Sequence, residues 1–214
     1  MKKVETAKRR TGGRPLSFDR EVALRRAMHL FWRYGYEGTS LHALTEALGV
    51  TPPSIYTAFG DKKQLFLEAM RRYAGDPADM ENSLAAAQTA RDAVHEMLVT
   101  AAIAFTGETT PKGCLLASAT ASGSQASADV RSAVSEVRRG IAMRLAHRID
   151  QDIAVGKLPA LTNAAALSDL ILAVVQGMSV LARDDAPRER LLALAEQFML
   201  AWPDQQSDRK TPLA

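Results

Sequence analysis

The chain has a single cysteine, four histidines and an aromatic share of only 6% in 214 residues. With Cys114 alone, an internal disulfide framework is excluded, and a reducing compartment, the cytoplasm, is the expected location. The histidines stand apart from one another and from Cys114, so no metal-ligand spacing arises and no metal is expected. No uncharged apolar run reaches the ~18 residues that a membrane span needs. No apolar stretch follows the basic N-terminus, which argues against a secretory leader. Nucleophile elbow, glycine-rich phosphate loop and His-x-x-x-His pair are all missing, so neither an enzyme nor a cofactor-binding protein is expected. Strand-like alternation and internal repeats are missing too. Asp150, Asp152, Asp184 and Asp185 read as surface carboxylates.

What is present is an apolar share of 47% drawn mainly from Leu, Ala, Val, Ile and Met, a mix that favours helix over sheet. The charge is divided unevenly. Residues 1–75 hold 14 Lys and Arg against 7 Asp and Glu, whereas residues 76–214 hold 13 against 17. A basic first third on an acidic remainder suggests a polyanion-binding module attached to a part with another task, although a solvated surface would give the same count.

Residues 1–13 carry Lys2, Lys3, Lys8, Arg9 and Arg10 without apolar periodicity and read as a flexible basic arm. Asp19 is placed to cap a first helix with Ala23, Ala27, Leu30, Phe31 and Tyr34 at spacings of three and four, stopped by Gly35. Ser40 opens a second helix with Leu41, Leu44 and Leu48 on one face, closed by Gly49. Thr51 is placed to cap a third, with Pro52 and Pro53 in its first turn, where a missing N–H costs nothing. Asp61 is placed to cap a fourth. Two short helices joined tightly through Gly49 suit a helix-turn-helix, whose second helix must be slim outside and apolar inside. An ordinary helical corner would share these features.

Gly12-Gly13-Arg14-Pro15, Ala27-x-x-Leu30-Phe31, Gly35-Tyr36-Glu37-Gly38-Thr39-Ser40, Ala47-Leu48-Gly49-Val50, Ser54-Ile55-Tyr56, Phe59-Gly60-x-Lys62 and Leu65-Phe66 together resemble the DNA-binding domain of TetR-family regulators over about residues 14–73. The resemblance implies an all-α protein: an N-terminal three-helix helix-turn-helix domain (14–75), a C-terminal helical ligand-binding and dimerisation bundle (76–203), and a disordered tail (204–214). It implies a repressor that binds double-stranded operator DNA as a homodimer and leaves it when a small-molecule effector binds. Ser40, Tyr56 and Lys62 fall where the family contacts phosphate. His42 falls where some members reach a base, or is a solvated histidine. Arg14 either follows the arm into the minor groove or is solvated. Thr51, Pro53, Ser54 and Thr57 fall on the recognition helix. That helix offers no Arg, Lys, Asn or Gln for bidentate pairing with a base, a departure from many relatives.

Beyond the Gly75-Asp76-Pro77 boundary, helices are expected at about 78–88, 89–107, 112–122, 127–155, 162–183 and 186–201. The resemblance implies that the last two pair with their counterparts in a second subunit through Leu170, Val174, Met178, Leu191 and Phe198. Ala166, Ala173 and Gly177 would permit close approach. An effector pocket, hydrophobic or amphipathic in character, is expected among Met97, Ala101, Phe105, Cys114, Leu116, Val137 and Met143, each of which ordinary core packing would also explain. Cys114 follows Lys112-Gly113 at an expected helix start, where a reactive thiol and an inert packed one are both open.

Overall fold

The computed structural model describes residues 18–119 and 128–203. Arg14, the basic arm and the tail lie outside them. The described residues form α1 (Arg20–Gly38), α2 (Leu41–Leu48), α3 (Pro52–Phe59), α4 (Lys62–Ala74), α5 (Pro77–Ala86), α6 (Ala90–Phe105), α7 (Leu115–Ser118), α8 (Ala128–Ala154), α9 (Ala164–Arg183) and α10 (Arg188–Leu200), with no strand among them.

The first four helices enclose a core of their own. Leu24, Ala27, Phe31, Leu44, Ile55, Leu65, Phe66 and Ala69 are almost wholly buried. The rings of Phe31 and Phe66 meet edge-on at 5.2 Å, and Tyr36 meets Phe66 at 5.3 Å. Local chemistry starts each helix: Asp19 accepts from the Glu21 and Val22 N–H groups, Ser40 from Ala43, and Asp61 from Gln64. Such a cap contributes about 1 kcal/mol. Tyr34, expected to face inward, is exposed, and α1 loses its helical geometry one residue later, at Gly35 (φ 72°, ψ 175°). There Thr39 closes the break by donating to the Gly35 carbonyl at 2.7 Å.

Beyond residue 76, α8 packs on α9 and α6 on α10, with α6 also against α8 and α9. Asp152, read from sequence as a surface carboxylate, is buried. It accepts from the Ala90 N–H at 2.6 Å and pairs with Arg148, tying α8 to the start of α6. The helix expected at 112–122 starts later, at Leu115. The Cys114 N–H is drawn instead to the Ser179 hydroxyl at 2.8 Å.

By length and composition alone α9 could cross a membrane, which counting uncharged runs had not flagged. Only 28% of its apolar window is buried, although it packs against α6, α8 and α10. A helix this apolar and this bare has a face still to be covered.

Candidate nucleic-acid interface

Between α2 and α3 the chain turns at Gly49, which adopts the left-handed conformation (φ 68°, ψ 34°) and sends its N–H back to the α2 carbonyls. Only glycine takes this geometry without steric cost. Leu44 and Leu48 from α2 and Ile55 and Phe59 from α3 are buried, which turns the other sides of both helices outward. Ser40, His42, Thr51, Pro53, Tyr56 and Thr57 are exposed, and Ser54 is half-buried. The outward side of α3 thus carries prolines, small hydroxyls and one tyrosine.

The hydroxyls make local bonds. Thr57 donates to the Pro53 carbonyl at 2.9 Å, and Thr51 and Ser54 share a bond at 3.0 Å. Thr51 stands at the N-cap position yet makes no side-chain cap bond, a correction to the capping role read from sequence. Pro52 and Pro53 lack N–H groups, and the Ser54 N–H goes to the Thr51 carbonyl at 3.0 Å, so the hydroxyl finds no backbone donor to cap. A hydroxyl that donates internally keeps its lone pairs for an amino group of adenine or cytosine.

Behind α3, Arg20 grips Glu68 through two bonds of 2.5 and 2.7 Å, reaches the Ala58 carbonyl at 3.3 Å, and lies 4.5 Å over the Phe59 ring. Glu68 holds the guanidinium firmly in its charged form. This clamp joins α1, α3 and α4 from the protein side, and nothing in residues 48 positions apart in sequence announces it. Lys62 sits at the start of α4 with its ammonium 4.4 Å from the Tyr36 ring centre. Partial burial lowers its pKa from the usual lysine value. An ammonium has three donors, so it can meet a phosphate while it lies over that ring.

The residues expected around an effector are spread out. Phe105, Cys114 and Leu116 are buried in the core, while Met97, Ala101 and Val137 are half-buried. Met143 is 68% exposed and lines a groove of about 430 Å³ between α5 and α8, with Leu84, Ala85, Gly140 and Arg144. The α8 helix turns that position away from α6. Cys114 is buried and accepts a hydrogen bond from the Tyr73 hydroxyl at 3.4 Å. Burial, with the thiol beside it, holds that hydroxyl far above its ordinary pKa. As α7 is a single turn, it lacks the summed dipole of a long helix start.

At the expected seam, Leu170 is 53% exposed, and Val174 and Phe198 are half-buried. Met178 and Leu191 are almost wholly buried within the chain's own core. Val180, Leu194 and Leu200 are further exposed apolar residues on the same two helices.

Residues 23–69 match the family profile described as bacterial regulatory proteins, tetR family, and residues 92–199 match the tetracyclin repressor-like C-terminal domain. The HTH-type transcriptional repressor ComR of Escherichia coli (strain K12) is 31% identical over 92% of this chain and 94% of its own length. A cysteine-substituted TetR family transcriptional regulator, CifR, solved in complex with 26-bp double-strand operator DNA, is 43% identical. It superposes with a TM-score of 0.84 over 89% of this chain and all of that one. Reduced NemR of E. coli, at 23% identity and a TM-score of 0.69 over 83% of this chain and 95% of its own, shares the fold.

Proposed function

Because the chain belongs to the TetR family of bacterial regulatory proteins, we propose that it is a transcriptional repressor that binds operator DNA as a homodimer and is released by a small-molecule effector. The observation that carries the reading is the α2–α3 unit. Its inner residues are buried, its outer side is slim and hydroxyl-bearing, and Arg20 clamps it from behind. A major groove admits such a helix. Ser40 and Tyr56 then contact phosphates on either side, and Lys62 joins them from the start of α4. CifR, similar over nearly the whole chain, is held on operator DNA, which supports the same target for this one and, with it, work in the cytoplasm.

Dimerisation follows from the bare apolar faces of α9 and α10. Two heads are needed to read paired half-sites about one helical turn apart, or a multiple of it. The effector is a hydrophobic or amphipathic small molecule admitted among α6, α7 and α8, where Met97, Ala101 and Val137 leave partly open surface.

The test is a gel shift with the DNA upstream of the protein's own gene over a range of salt. Binding that weakens steeply as salt rises is the expected result, since released counterions drive it. No shift with any promoter fragment, or salt-independent binding, would contradict the reading.

A further inference from the structure

We propose that Arg183, at the end of α9, is a positioning residue that fixes the DNA-binding head relative to the subunit seam; the inference rests on the dimeric repressor reading above. It begins with one backbone carbonyl. In an unbroken helix the Trp32 carbonyl would receive the Tyr36 N–H, but the non-helical dihedrals of Gly35 take that N–H away. Two side chains replace it. Arg183 donates through Nη2 at 2.7 Å, and the Ser118 hydroxyl, 2.9 Å away, shares its one proton between this carbonyl and that of Cys114 at 2.8 Å. The same Arg183 nitrogen also bonds the Ser118 hydroxyl, joining α9 and α7 at the point where each holds α1.

A second set of bonds makes the contact stiff. The Trp32 indole N–H donates to the Gly113 carbonyl at 2.8 Å. One turn before Arg183 on α9, the Ser179 hydroxyl accepts the Cys114 N–H at 2.8 Å. Gly35 lies so close to Ser118 that an added Cβ would come within 2.9 Å of its carbonyl oxygen. Trp32 in turn meets Tyr73 of α4 edge-on at 4.8 Å. Thus α9 grips the 113–118 segment and, through it, both helices that carry the head.

The geometry calls for arginine. Both bonds leave a single Nη2, which the planar guanidinium holds at a fixed angle and reach that a lysine ammonium on a shorter, flexible stem does not reproduce. Since α9 also bears the bare face offered to the second subunit, a rigid tie from α9 to α1 sets the separation of the two recognition helices. Half-site spacing demands that this separation be fixed.

The experiment uses the full-length protein with Glu46→Cys, an exposed α2 position, for spin labelling and Cys114→Ser to remove the native thiol. Head-to-head distances are measured by double electron–electron resonance with Arg183 and in Arg183→Lys and Arg183→Met, alongside dimer mass and melting temperature. A narrow distribution with Arg183 and a broad one in both variants is expected, with dimer mass kept and melting shifted by no more than a few degrees. Affinity for operator DNA should then fall tenfold or more, and affinity for random-sequence DNA less than twofold. Equal distributions in all three proteins would overturn the proposal. So would a wild-type monomer, or a parallel loss of both affinities together with melting, which would mark Arg183 as general structural support. Failure of the wild type to bind any promoter would sink the repressor reading alone, because the distances judge the tie without DNA.

Discussion

The head, α1 to α4, and the pair α9–α10 make opposite use of the same aliphatic residues. The head puts its large apolar side chains inside: Phe31, Leu44, Ile55, Leu65 and Phe66 are each essentially inaccessible, and its outer face is left to hydroxyls and charge. The α9–α10 pair buries Ile171, Met178 and Leu191 but leaves Leu170, Val180, Leu194 and Leu200 bare. The first is a finished unit that presents a polar surface to a polyanion. The second is left unfinished in the single chain, and the proposed homodimer would complete it with a copy of itself. Patterning alone treats the two alike, since both show stripes at helical spacing.

The contrast can be broken hardest in the head. Phe66→Ala removes a ring wedged between Phe31 and Tyr36, and about 3–5 kcal/mol of stability should go with it. Thermal unfolding should show the loss even at concentrations where the dimer persists. Next is the seam. Leu170→Asp places an unpaired carboxylate where the bare faces meet and should weaken the dimer by about 3 kcal/mol or more, over a hundredfold. Leu170 is exposed in the single chain, so sedimentation should find folded monomers; an undisturbed dimer would move the seam elsewhere.

Gly177 sharpens the same contrast. A mid-helix glycine costs roughly 1 kcal/mol against alanine, and a Cβ there would meet nothing within 4 Å in its own chain. Close approach by the second subunit gives it a reason. Gly177→Leu should therefore weaken the dimer without unfolding the chain, as light scattering at falling concentration would reveal. On the DNA face effects are smaller. Lys62→Ala should lower affinity for all sequences alike and flatten the salt slope by about one unit. Tyr56→Phe, losing one neutral hydrogen bond, should cost about 1 kcal/mol in operator affinity, readable by fluorescence anisotropy.

The head was legible in the sequence because its signals are local. Asp19, Ser40 and Asp61 each cap the helix that follows within three residues, and Gly49 turns the chain where apolar spacing stops. Thr51 was half legible: its position was right, but two prolines had removed the donors its hydroxyl would cap. What stayed hidden depends on distant partners. Asp152 sits in a polar run, and its burial draws on the Ala90 N–H, 62 positions away, as well as on Arg148 one turn before it. Met178 and Leu191 belong to the same stripes as Leu170, and a stripe records which side of a helix is apolar, not which neighbour covers it. Met143 faces α5 for a related reason, since α8 is long enough to have apolar residues on more than one face. The bonds at Trp32 draw on α1, α7 and α9, and no spacing rule connects those three.

The most direct test of the account weighs the complex itself. Native mass spectrometry of the full-length protein with a promoter fragment that it shifts should give two chains per duplex, or a multiple of two, and Leu170→Asp should lose that species at the same concentration. A stable complex with one chain per duplex would contradict the claim that an unfinished core joins two finished heads on DNA.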